Sequence, residues 1–142
     1  PWVVEESPNA SGGKYITTRG VDAGGEPPSE GHATYEFDLE RDGEYEIRGR
    51  VQVPDDESDS FWVRVDDRDW VRWDRMRSRR GSWEWESVPD HDVEGAPPKR
   101  FALDAGTHTL TVAFREDDAA LDKLVVTSNR DPPVLFGEPA GE

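Results

Sequence analysis

The chain has 142 residues, enough for one domain with its own core, and a formal net charge of −15 from 32 Asp and Glu against 17 Lys and Arg. It holds no cysteine, which excludes a disulfide framework and thiolate metal sites and leaves the redox compartment open. Its apolar runs are too short for a transmembrane helix, and so acidic a surface repels phosphate, which counts against membrane and nucleic acid as partners.

The hydrophobic fraction of 33% is low but is spent in short alternating runs, the pattern of a domain of small strands and not of a disordered chain. Only Lys14, Lys99 and Lys123 are lysines. Acid excess with few lysines suits a halophilic setting, where screening shortens self-repulsion, and equally suits a GC-rich genome. The chain opens at Pro1 with no signal-like segment, so the expectation is a module of a longer protein.

In chain order, "SPNASGG" (7–13) reads as a turn after a first strand. Tyr35, Phe37 and Leu39 alternate with polar neighbours, and in "EYEIRGRVQV" Tyr45, Ile47, Val51 and Val53 share one face with Gly49. Phe61, Val63 and Val65 continue the alternation, as do Leu110, Val112 and Phe114, while "LVV" at 124–126 reads as a strand buried on both faces. Turns fall at "RDG" (41–43), "DDRD" (66–69), "DAGT" (104–107) and "EDDA" (116–119), with longer polar loops at 19–31, 54–60 and 89–98. About nine or ten short strands at this spacing predict an all-β sandwich over residues 1–128. Residues 129–142 read as a linker or a docked tail.

One stretch stands apart. "WVRWDRMRSRRGSWEW" (70–85) packs four tryptophans and five arginines together, and the window 64–80 holds seven arginines against four aspartates. A guanidinium matches carboxylate or sulfate with a planar fork, and an indole stacks on the C–H face of a sugar. Arg75, Arg77, Arg79 and Arg80 surround one Met and a Gly, as in an exposed loop. The alternative is internal neutralisation by the many acids. Trp2, Trp73 and Trp85 can be phased with inward residues, while Trp62 and Trp70 alternate with the inward valines. His32, His91 and His108 lack metal-like spacing, and no nucleophile elbow, phosphate loop or HExxH occurs, so nothing argues for an enzyme.

Several segments together resemble carbohydrate-binding modules of families 6 and 35: "WVVEESPNASGGKYI", "ATYEFDLERDGEYEIRGRV", "SFWVRVDDRDWVRW", "WEWESV" and "LDAGTHTLTVAFREDDAALDKLVVTS". The resemblance implies a jelly-roll sandwich appended to a polysaccharide lyase or hydrolase, extracellular or at the cell surface and a monomer when isolated. It also implies that 83–88 and 99–104 form one strand interrupted by 89–98, and that loops 19–31, 54–60, 75–81 and 116–119 share the sugar-binding end. On that reading Trp83 is the stacking platform, with Trp73 beside it and Arg75, Arg77, Arg79 and Arg80 as anion forks. Asp117 and Asp118 accept sugar hydroxyls, and the ligand is an acidic polysaccharide. The resemblance further implies a structural Ca²⁺ held by Glu6 and Asp122, although Val4 stands where a second glutamate is usual and Glu5 is shifted by one residue. An adhesion or structural domain without glycan remains open, as does a lyase or hydrolase acting in its own right.

Overall fold

Alternation of apolar and polar side chains decides the architecture. In β3 (His32–Leu39) and β4 (Gly43–Gln52) every second residue is buried, with half-buried or exposed residues between. A strand with one apolar face must press it against a second layer. The computed structural model describes residues 2–18, 25–53, 60–74, 76, 82–116 and 119–128, together with the backbone of 134–136.

The described strands form two antiparallel sheets. One runs β1 (Trp2–Glu6), β2 (Lys14–Thr18), β10 (Ala120–Thr127), β4 and β7 (Glu84–Ser87), with β11 (Val134–Phe136) beside β10 and β8 (Phe101–Leu103) beside β4. The other runs β3, β9 (Gly106–Phe114), β5 (Phe61–Val65) and β6 (Val71–Trp73). A single 3-10 turn at Ser11–Gly13 is the helical content among the described residues. The expected all-β sandwich is observed.

The interrupted strand is also observed. β7 pairs with Arg48–Val51 and β8 with Gly43–Tyr45, so the two lie end to end along β4. Between them Lys99 N–H donates to the Val88 carbonyl at 2.8 Å, and Pro89 bridges Pro98. The tail adds backbone to the sheet: Val134 to Phe136 pair with Val126 to Leu124.

The core lies between the sheets. Tyr35, Phe37, Tyr45, Ile47, Val51, Phe61, Val63, Val65, Leu110 and Val112 are buried as their phase requires, whereas Phe114 is only half-buried. "LVV" is not buried on both faces, because Leu124 and Val126 point inward and Val125 is half-buried between them. Of the tryptophans phased inward, Trp85 departs from that expectation and Trp73 meets it, which removes Trp73 from the ligand residues. Trp85 sits opposite Arg50 on the polar face of β4 and is 41% exposed. Trp73, counted above with the ligand residues, sits opposite Phe61 and is 0% exposed. Its ring packs against Phe61 at 5.7 Å between centroids, so it serves the core and presents no face to a ligand.

Trp73 dictates the residue at position 49. A Cβ on Gly49 would fall inside the radius of the Trp73 ring and lie 3.2 Å from Leu121. Hence Gly49 interrupts the apolar series of β4 at the point where the indole crosses it. Gly49→Ala is expected to destabilise the fold by about 1–3 kcal/mol through overpacking, read from denaturant unfolding; an unchanged midpoint would show that the ring can move aside.

A polar contact sits where β8 turns into β9. His108 Nδ1 lies 2.7 Å from the Asp66 carboxylate, its Nε2 lies 2.6 Å from the Asp104 carbonyl oxygen, and its ring stacks on Phe37. Burial alone would depress the imidazole, but the bonds to Asp104 and Asp66 outweigh it and raise its pKa. Asp66 moves the other way: burial pushes it up, yet bonds from His108 and the Thr109 amide hold it below the usual value. Both ring nitrogens donate only in the imidazolium. A raised native pKa means the contribution is complete below roughly pH 6.5 and is lost as pH rises through the native value. Thermal melts across pH 5.5 to 8.5 should show that loss in the wild type and not in His108→Gln; parallel curves would exclude it.

Candidate functional site

The strands leading into and out of 19–31, 54–60, 75–81 and 116–119 end at one edge of the sandwich, since Phe61 pairs with both Trp73 and Phe114 while Gln52 pairs with Ala120. Arg75, Arg77, Arg79, Arg80, Asp117 and Asp118 lie outside the described residues. Trp83 is within them, half-buried, immediately before β7.

Trp83 is framed by side chains from the polar faces of β2 and β4, which lie either side of β10. Tyr15 of β2 meets it edge-on at 5.2 Å between ring centroids, and the Arg50 guanidinium of β4 sits 5.5 Å from the indole centroid. Tyr15 donates its hydroxyl proton to Glu5 Oε2 at 2.9 Å, which keeps the phenol in place. A half-exposed indole with a guanidinium over its ring sets an apolar surface suited to the C–H face of a sugar beside a donor suited to its oxygens.

Arg50 is held from the other side by Asp122. Its Nη1 lies 2.5 Å from Asp122 Oδ2 and also donates to the Asn9 carbonyl at 2.8 Å. Asp122 is buried, and both of its oxygens accept the Ser11 amide proton, at 2.9 and 3.0 Å. The local sequence explains the position of Asp122. Leu121 and Leu124 are both inward although three residues apart, which a strict period of two forbids. A bulge between Leu121 and Lys123, where Leu121 opposes Val51 and Lys123 opposes Arg50, absorbs the extra residue, and Asp122 is that residue.

The described arginines of the 64–80 window are engaged with the fold. Arg64 lies over Trp70 at 4.6 Å, Arg68 donates to the Ala102 carbonyl, and Arg72 pairs with Asp74 at 2.7 Å. The histidines are likewise tied locally: His32 to the Pro28 carbonyl, His91 to Asp74 and His108 to Asp66. Sequence reasoning missed Arg50 and Tyr15. The signal for Arg50 was present, since it stands on the polar face of a predicted strand, whereas no strand was read over Tyr15, and the partners of both are distant in the chain.

No protein-family model matches the chain, and no curated protein does. Solved structures do. A family 35 carbohydrate-binding module from Clostridium thermocellum superposes with a TM-score of 0.63, at 14% identity, over 89% of this chain and 87% of that one. The fold is that of a family 35 carbohydrate-binding module. An exo-β-1,3-galactanase from Phanerochaete chrysosporium, solved with galactose and with β-1,3-galactotriose, also scores 0.63 at 20% identity, over 89% of this chain and 26% of that one. A GH26-CBM35 β-(1,4)-mannanase from Podospora anserina scores 0.54 at 14% identity, over 92% of this chain and 28% of that one. The chain therefore spans about a quarter of either enzyme.

The residues present do not fit the Ca²⁺ that the resemblance implies. A calcium ion takes six to eight oxygens, and the Asp122 carboxylate is already matched by a guanidinium and a backbone amide. Glu6 is exposed and stands opposite Lys14 on the edge of the sheet, while Glu5 is the acid bonded to Tyr15. Among the described residues no three His, Asp or Glu side chains converge as a cation site. The positive charge that Asp122 needs is supplied by Arg50. An excess of EDTA is accordingly expected to leave the melting temperature unchanged, while added Ca²⁺ gives no rise; a rise with Ca²⁺ that Asp122→Asn removes would restore the metal.

Proposed function

We infer that this chain is a non-catalytic carbohydrate-binding module that directs an appended, secreted enzyme to a polysaccharide. The observation that carries the reading is Trp83: a half-exposed indole at the loop-bearing edge, braced by Tyr15 and Arg50, in a sandwich shared with a family 35 module. The size match supports the accessory role, because the chain corresponds to nearly the whole of that module and to a minor part of two glycan-degrading enzymes. Every histidine is engaged in a local contact, so no imidazole stands poised as a base beside a nucleophile among the described residues.

The ligand on this reading is an acidic polysaccharide, uronate or sulfated. Support comes from charge placement: Arg75, Arg77, Arg79 and Arg80 precede Trp83 in a chain of net charge −15. The rival reading, a structural domain without glycan, is favoured by the engagement of Arg64, Arg68 and Arg72 with the fold. Calorimetric titration separates the two. Trp83→Ala, with its fold verified by melting, is expected to weaken binding to pectate or alginate by about 1–3 kcal/mol, the range found for other aromatic platforms. Arg77→Gln with Arg79→Gln should weaken acidic polymers and spare neutral xylan. Wild type that binds none of these polymers, or a Trp83→Ala variant that binds all of them equally well, would favour the structural domain.

A further inference from the structure

A cleft of about 570 Å³ opens between the β5–β6 hairpin and the segment 90–102. Neither Trp83, Tyr15 nor Arg50 borders it. Its walls are preformed by bonds that span it. His91 Nε2 lies 3.0 Å from the Arg72 carbonyl oxygen on β6, and Arg68 reaches from the hairpin turn to the Ala102 carbonyl on β8. The insertion holds its own shape through Asp90 N–H to the Pro97 carbonyl at 2.7 Å and Ala96 N–H to the Val93 carbonyl at 3.0 Å.

The lining is unusual for this protein. Trp70 is half-buried there, with Arg64 over its ring and His32 in a T-shaped contact at 5.2 Å between centroids. Four cationic side chains, Arg68, Arg72, Lys99 and Arg100, border a single concavity in a chain of net charge −15. Two of them have little anionic company. Lys99 meets the Phe101 ring at 5.7 Å and no carboxylate among the described residues, and Arg100 reaches Glu46 only at 3.8 Å. Of the bordering carboxylates, Asp90 turns back to the Asp92 amide at 3.0 Å, which leaves Asp69 and Asp92 to accept protons.

We propose that this cleft is a second glycan site, which takes a sugar bearing a carboxylate or sulfate. Trp70 supplies the platform, Lys99 and Arg100 hold the anion, and Asp69 and Asp92 accept hydroxyl protons. The assignment rests on the reading of the chain as a glycan-binding module but uses none of the residues around Trp83. An ammonium without a carboxylate partner among the described residues, in so acidic a chain, is the feature that an anionic ligand explains. The mixed lining explains why the ligand is an acidic sugar and not a bare anion, since Asp69 and Asp92 repel an anion that offers no hydroxyls.

The test is a titration followed by the indole N–H signals in nitrogen-15 spectra, with trigalacturonate, a sulfated galactan oligosaccharide and xylotriose as probes. In wild type and in Trp83→Ala, one of the two acidic probes should shift the Trp70 signal, and which one does so distinguishes uronate from sulfate. Lys99→Gln with Arg100→Gln, both surface changes, should weaken that step about tenfold or more while the Trp83 signal still responds. Loss of the Trp70 shift in Trp83→Ala would overturn the second site and leave the module reading intact. An equal Trp70 response to xylotriose, or no effect of the Lys99 and Arg100 changes, would overturn the acidic assignment. Failure of every probe to move any indole in wild type would overturn the module reading along with it.

Discussion

A carboxylate with no access to water must find a positive partner, and Asp122 finds Arg50. Breaking a buried pair by removing one member typically costs about 3–5 kcal/mol, because the other charge is left stranded; a partly exposed Arg50 places this pair toward the lower part of that range. The contact ties three pieces of chain that are remote in sequence: β4 through Arg50, β10 through the bulge at Asp122, and the 7–13 turn through Ser11 and Asn9. Fixing the turn places the start of β2, and hence Tyr15. Fixing Arg50 places the cation beside Trp83. The geometry around the indole is thus a consequence of one desolvated ion pair.

The same pair shows how an acidic protein spends its few cations. Arg72 with Asp74, Arg115 with Glu116 and Ser60, and Arg64 over Trp70 each hold a local element in place. Such contacts near the surface contribute modestly one by one. Their value here is positional: each locks a side chain from which a neighbour takes its bearing, and the two ion pairs also remove an acid from the field of repulsion. Arginine suits that task, because its guanidinium carries several donors in a fixed plane, and in Arg50 a single amino group, Nη1, serves both Asp122 and Asn9.

Much of the fold was legible because a period of two is short and local. Tyr35, Ile47, Val63 and Val112 could each be assigned a face from immediate neighbours, and each is buried. What failed was whatever depends on pairing between strands. Trp85 looked inward by phase, yet its register opposite Arg50 turns it outward. Trp73 could be phased inward and is buried, but its place beside the arginine loop also suggested a ligand contact, and only Gly49, on the facing sheet, shows where the room for its ring comes from. The role of Asp122 was half visible. Two inward leucines three residues apart announce a bulge, but nothing local reveals that the partner of the extra residue is an arginine 72 positions away. The end loops that carry Arg75 to Arg80, Asp117 and Asp118 remain outside the described residues, so the sugar-facing half of the expected site rests on Trp83, Tyr15 and Arg50.

The insertion at 89–98 leaves β4's partner strand and returns to it at nearly the same point, with Lys99 bonded to Val88 and Pro89 bridged to Pro98. A segment whose ends are already pinned together is topologically a cassette. Closing it costs chain entropy that grows only with the logarithm of its length, and neither β7 nor β8 has to move when it changes. Lengthening, shortening or exchanging these residues would therefore remodel the wall facing Trp70 while the sandwich stays as it is. A lineage of such modules could diversify its surface at this splice far more cheaply than at β4 or β10, where Gly49 and Asp122 each answer to several neighbours at once.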